Sequence, residues 1–263
     1  MTYIHVHEDE RPWGTAPEPE LGALKTKLLL DGTGGSHAFR FGLARLAGGA
    51  ATDPYTRPHA ELLYIAEGTA RIDFGAEEVT LPAQSCIYCP AGLPRSISAV
   101  GGGELRFAYT VSCERQPAAA AATSRPAWLK WEDAEDWWSV EPSKGLRIRV
   151  KRLLDRDVPR DLITGLGLID PGTHYTLHYH DQPEIYYIVS GEGIVYVAGE
   201  EVSVRRGSCL DIGGKVVHGA DSLGSEPLGI YYVYGCENAG HTVNWTAVET
   251  LYDTPRRAAS SRG

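Results

Sequence analysis

Apolar residues along this chain fall in short runs that stop at glycine, proline or acidic residues, and helical periodicity is nearly absent. Runs rich in Val, Ile, Leu, Tyr and Phe with such punctuation predict β-strands joined by tight turns. The pattern places strands at Phe39–Leu46, Glu61–Ala66, Ala70–Phe74, Ser85–Tyr88 and Leu105–Ser112. They resume at Leu146–Leu153, Ile163–Leu168, Glu184–Ser190, Gly193–Val197, Ser208–Ile212 and Leu228–Gly235. Between the two groups the alanine-rich QPAAAAATSRPAW at 116–128 reads as a linker, and DAEDWWS at Asp133–Ser139 as a short helix. Short strands, glycine turns and little helix predict an all-β chain built of jelly-roll barrels.

The two groups are copies. An offset of 123 residues maps Gly172 onto Gly49, Glu184 onto Glu61, Gly191 onto Gly68 and His218 onto Arg95. The same offset maps His178 onto Tyr55 and His180 onto Arg57. A fixed offset over so many positions marks an internal repeat of domain size, hence two barrels. The expected organisation is an N-terminal arm (1–36), a first barrel (37–115), a linker (116–140), a second barrel (141–252) and a disordered tail (253–263).

The second copy carries the chemistry. Side chains two apart on a strand share a face, so His178 and His180 point the same way. Asp181-Gln182-Pro183 forms a turn, and Glu184 opens the next apolar run where its carboxylate can return to the imidazoles. Two imidazoles and a carboxylate suit Fe, Mn, Ni, Co or Zn and leave positions open. Downstream, Gly207 through His218 gives a strand, a glycine turn and another histidine.

Together these segments resemble the paired motifs of the cupin superfamily, G-x5-H-x-H-x3/4-E-x6-G followed by G-x5-P-x-G-x2-H. Gly172, His178, His180, Glu184 and Gly191 match the first motif at every defined position. The second keeps Gly207 and His218 but has Gly213 for the proline and Lys215 for the glycine. The resemblance implies two tandem cupin barrels, of the double-stranded β-helix type, with His178, His180, Glu184 and His218 as ligands of one divalent transition metal. Fe, Mn or Ni are favoured, with Zn, Co or Cu as alternatives. It also implies a homodimer or larger assembly.

The first copy is a degenerate site of Tyr55, Arg57, Glu61 and Arg95. Arginine does not shed its proton to become a ligand, so Arg57 and Arg95 exclude a metal there. Glu61 is expected to pair with one or both guanidinium groups. An anionic small molecule at this site is the alternative to a supporting barrel.

Parity nominates further residues. The strand ending at His180 carries Thr176 and His174 on the same face, and the strand starting at Glu184 carries Tyr186 and Ile188. Tyr186 and His174 are candidates for proton transfer beside the metal. The last strand offers the interior either Tyr232 and Tyr234 or Tyr231 and Val233; the first pair, with Lys215 at the pocket mouth, are candidate substrate contacts.

Composition narrows the partners. A net charge of −9 and a pI near 5.5 argue against nucleic acid or an anionic membrane, which require a basic face. No apolar run approaches the ~18–20 residues of a membrane span, and the start, MTYIHVHEDERPWG, lacks a signal pattern. The five cysteines are an odd number, and Cys86 and Cys89 face opposite sides of one strand as core thiols. A reducing cytoplasm is expected. The expected function is a metal-dependent dioxygenase acting on a small anionic or enolisable oxygenated molecule. The alternatives are a redox-neutral isomerase, lyase or cyclase, a hydrolase like the bicupin ureidoglycine aminohydrolases, and a non-catalytic binding protein. The hydrolase motif puts its carboxylate first and a glutamine fourth, and this sequence departs from it.

Overall fold

The glycine-punctuated runs fold as antiparallel strands, and among the described residues only two short 3-10 turns, Glu8–Glu10 and Trp131–Asp133, interrupt them. The structure is a computed structural model describing residues 3–14, 22–33, 35–36, 38–113, 125–134, 136–139, 148–153, 162–235 and 246–247. The expected tail 253–263 and the alanine-rich part of the linker lie outside these. The first repeat holds β1 (Tyr3–His7), β2 (Lys25–Leu30), β3 (Phe39–Leu46), β4 (Glu61–Glu67), β5 (Thr69–Asp73), β6 (Glu78–Pro82), β7 (Ser85–Cys89), β8 (Ser96–Ala99) and β9 (Leu105–Ser112). The second begins with β10 (Ala127–Lys130), β11 (Asp136–Ser139), β12 (Ile148–Arg152), β13 (Leu162–Ile169), β14 (His174–Tyr179) and β15 (Glu184–Ser190). It ends with β16 (Glu192–Val197), β17 (Glu200–Arg205), β18 (Ser208–Ile212), β19 (His218–Ser222), β20 (Leu228–Gly235) and β21 (Thr246–Ala247).

Four sheets result. The larger two run β10-β7-β4-β9-β3-β2 and β1-β18-β15-β20-β13-β12-β11; the smaller run β6-β5-β8 and β17-β16-β19-β14-β21. Each small sheet closes over one large sheet to form a barrel. Leu63, Ile72, Leu81 and Phe107 fill the first barrel, and Tyr186, Ile188, Val195 and Ile230 fill the second. A third cluster, including Phe41, Tyr64, Tyr187, Tyr231 and Val233, lies between the large sheets. Tyr64 stacks on Tyr231 with ring centroids 4.5 Å apart, and Phe41 meets Tyr187 at 5.4 Å. Large-sheet strands are thus covered on both faces, so β4, β9, β15 and β20 read as nearly solid apolar runs. Small-sheet strands such as β5 and β17 face water on one side and alternate.

The repeat reaches further than the motifs. The offset of 123 carries the turn at Glu8–Glu10 onto Trp131–Asp133, and the two arms are exchanged. β1 pairs with β18 of the second barrel, while β10 pairs with β7 of the first. Glu8 donates its amide to Gly207 O (2.9 Å), and Trp131 donates to Gln84 O (3.1 Å), one equivalent bond in each barrel. Two expectations change accordingly. Part of the 116–140 linker is strand, with β10 bound to the first barrel and β11 to the second. The helix expected at Asp133–Ser139 is replaced by β11, because backbone pairing to β12 overrides the local composition.

Candidate metal centre

Four residues from three strand ends converge inside the second barrel. His178 lies on β14, His180 follows it, Glu184 begins β15 and His218 begins β19. His178 and His218 are direct cross-strand partners. One ring nitrogen of each of the three histidines lies within 4.8 Å of the others, and all three are buried. Oε2 of Glu184, 2% exposed, lies 3.0 Å from His180 Nε2 and 3.1 Å from His218 Nε2. Burial pushes the Glu184 carboxyl upward, but the bonds and charge of His180 and His218 prevail and hold it down to about 2.

The donor set fits a metal ion. Nδ1 of His178 is 2.8 Å from Thr176 O, and Nδ1 of His218 is 2.8 Å from Val216 O. A carbonyl only accepts, so both Nδ1 atoms carry the proton and Nε2 is the coordinating nitrogen. His218 then faces the Glu184 carboxylate with Nε2 as well. That arrangement requires a positive charge between them, from a second ring proton or from a cation. Burial, followed by the neighbouring His218, disfavours a charged His178 and keeps it in the neutral form a metal needs.

A box of phenols surrounds the four. Tyr175 lies 4.9 Å from His178, Tyr186 lies 5.6 Å from His218 and Tyr234 lies 5.8 Å from His180, measured between ring centroids. Tyr232 stacks on Tyr234 at 5.6 Å. Of the two pairs offered by β20, Tyr232 and Tyr234 therefore face the barrel, and Tyr231 and Val233 face the seam. Burial first, then the Glu184 charge, raises both the Tyr175 and the Tyr186 phenol. A cavity of about 20 Å³ sits against Glu184, Tyr175, Tyr186 and Tyr232. A larger cavity of about 170 Å³ lies in the seam between the barrels, where Arg206 pairs with Glu67 (2.7 Å) and Glu8 accepts from the Tyr187 hydroxyl (2.9 Å). The smaller one is the cavity that borders a metal-type residue, Glu184.

Two expectations of the sequence are corrected. Between Tyr175 and His178 the β14–β19 register slips, so parity does not carry from His178 back to His174. His174, its side chain 42% exposed, is turned outward, where Nδ1 lies 2.6 Å from Asp221 Oδ1; Tyr175 takes the inward place. Asp221 also accepts from Tyr196 Oη at 2.7 Å. Lys215 points to solvent, its Nζ 3.9 Å from Asp181, and is not at the pocket mouth. Its φ of +64° is left-handed, the conformation that suits the glycine usual at that position. Tyr175 was missed because a bulge leaves no mark in an alternating pattern.

In the first barrel Tyr55, Arg57, Glu61 and Arg95 also converge. Tyr55 and Arg95 are cross-strand partners, as His178 and His218 are. Glu61 accepts from Tyr55 Oη (3.0 Å), Arg57 Nε (2.6 Å) and Arg95 Nη2 (2.5 Å). Arg95 lies over the Tyr55 ring at 4.6 Å. Burial raises the Glu61 carboxyl, but Arg95 and then Arg57 outweigh it and leave it below its ordinary value.

Comparison with known proteins agrees with this architecture. The cupin-domain family model matches residues 42–112 and 165–234. The chain is a two-domain cupin. Over 102 residues it is 35% identical to the dimethylsulfoniopropionate lyase DddW of Ruegeria pomeroyi, covering 38% of this chain and 64% of that protein's length. Among solved structures, a Pseudomonas aeruginosa protein described as glyoxylate-induced superposes with a TM-score of 0.77 at 16% identity, covering 92% of both chains. The oxalate decarboxylase of Bacillus subtilis, described with Mn(II) centres, superposes at 0.70 and 14% identity, over 93% of this cupin and 79% of that chain. Similarity at that level shows the fold alone. Among the described residues no helix is long and apolar enough to cross a membrane.

Proposed function

We propose that the second barrel of this cupin holds one divalent transition metal on His178, His180, Glu184 and His218, and that the protein is a lyase-type enzyme acting on a small carboxylate. The phenol box carries this reading. Among the described residues, the groups around the centre that can move a proton, apart from the metal-type residues, include the hydroxyls of Tyr175, Tyr186, Tyr232 and Tyr234. Cleaving a bond beside a carboxylate without change of oxidation state requires proton transfer at carbon and donors for the oxyanion. When bound, the metal supplies a Lewis acid that stabilises the negative charge developing on the substrate. The buried phenols, held protonated, donate to the substrate's oxygens and orient it. Tyr186, whose ring packs edge-on against His218, is the candidate to donate the proton. The barrel's apolar wall excludes water from the reacting carbon. The lyase identity of the Ruegeria relative supports this reading over the dioxygenase expected from the sequence. Homo-oligomeric assembly and a cytoplasmic setting belong to the same proposal.

Tyr186→Phe tests it. The variant should keep its metal and lose about 10²- to 10⁴-fold in kcat. The assay is anaerobic turnover of dimethylsulfoniopropionate and oxalate by protein loaded with Mn, Fe or Zn. Turnover that stops under argon and consumes dioxygen would make the protein a dioxygenase. A metal-loaded protein with no turnover on any carboxylate would make it a binding module.

A further inference from the structure

β13 turns Ile163, Gly165, Gly167 and Ile169 toward the interior of the second barrel, where the two isoleucines join its core. The two glycines do different things there. A Cβ at Gly165 would run into the Tyr232 hydroxyl, so that missing side chain makes room for the phenol. Gly42 stands in the same relation to Tyr109 in the first barrel. Gly167 has no such occupant. A Cβ there would meet only the backbone oxygen of Ile230, at the ordinary distance of 3.9 Å, and its φ is not left-handed. The backbone therefore does not require glycine at 167.

The space left at Gly167 is part of the cavity beside Glu184. Tyr175, Tyr186 and Tyr232 line its polar side, and Ile148, Ile169 and Ile230 its apolar side. At the repeat-equivalent position the first barrel, with arginines in place of metal-type residues, has the buried side chain of Ala44. The barrel built for chemistry thus has an opening where its copy is filled. A molecule seated there has an oxyanion end among the phenols and a short apolar end against β13.

We propose that Gly167 is the residue that sets substrate size in the second barrel, restricting it to short, unbranched carboxylates whose carbon tail rests on the bare β13 backbone. This rests on the metal-enzyme reading above and names the substrate class for that site. Any side chain at 167 occupies the place of the tail while leaving all four metal-type residues untouched.

The test is isothermal titration of propionate and of hexanoate into the zinc-loaded full-length protein, for wild type, Gly167→Ala and Gly167→Val. Wild type should bind propionate and reject hexanoate. Gly167→Val should bind the same zinc and weaken propionate by about tenfold or more. Undiminished propionate binding by folded, zinc-loaded Gly167→Val overturns the proposal, as does zinc-loaded wild type that binds neither acid. If the protein takes up no metal, the metal reading fails separately, and the melting point of the metal-free chain decides the role of Gly167. A side chain entering open space at an unstrained φ should then raise the midpoint by about 2 °C in Gly167→Ala. A lowered midpoint means that position 167 is closed, and the proposal falls.

Discussion

The two barrels hold a buried glutamate at the same place, the first residue of a central strand, and differ in what neutralises it. In the second barrel Glu184 faces imidazoles arranged for a metal ion. In the first, Glu61 faces two guanidinium groups and a phenol. Each site has an aromatic or cationic cross-strand pair, His178 with His218 and Tyr55 with Arg95. The difference teaches that the barrel end is a seat for positive charge, because a carboxylate excluded from water has to be paired. A metal can leave and return; an arginine side chain cannot. With the proposed metal, the second barrel would be open to ligand exchange, whereas the first is closed by its own covalent structure.

The comparison can be broken most forcefully from the metal side. His180→Ala should reduce metal content from about one equivalent to none and abolish activity, while near-native circular dichroism shows that the first barrel stays folded. Elemental analysis of the protein as purified gives the reference value, and an active metal-free variant would refute the assignment. Next in size, Arg95→Leu should destabilise the fold by about 3–5 kcal/mol, because it strips Glu61 of its fully buried partner. Denaturant titration measures it, and a near-neutral result would mean that Arg57 alone suffices. The smallest effect is on pH dependence. The folded-state value of Glu61 is depressed, so its contribution is complete above the unfolded value of about 4.3 and is lost as pH falls through the folded value. Glu61→Gln should be less stable at neutral pH and show a shallower loss below about pH 4 in the metal-free protein, where Glu184, Asp31 and Asp221, also held below their ordinary values, contribute to the remaining slope.

Much of this was legible in the sequence because it depends on spacing. Most strands of the large sheets follow from apolar runs and glycine turns, whereas β6, β8, β17 and β19 of the small sheets carry too few apolar residues to stand out. The metal-type residues follow from two histidines on one face, a proline turn and a returning carboxylate. The pairing of Glu61 with both arginines follows from charge. What escaped depends on contacts distant in sequence or on local slippage. A single bulge exchanged His174 for Tyr175, since parity arguments fail when one residue is inserted. β11 looked helical because Asp136–Ser139 has no alternation, and only its pairing with β12 makes it a strand. β1 carried no sign of its destination, because an edge strand matches any partner edge with a compatible face.

The exchanged arms impose an order of events on a growing chain. β10 finds β7 about 40 residues back, so the first barrel can close its edge soon after that edge emerges. β1 must find β18, which lies about 200 residues further along. At ribosomal speeds of about 5–20 residues per second β1 waits roughly 10–40 s for its place. The second barrel is completed at one edge by a strand made about 200 residues before that edge.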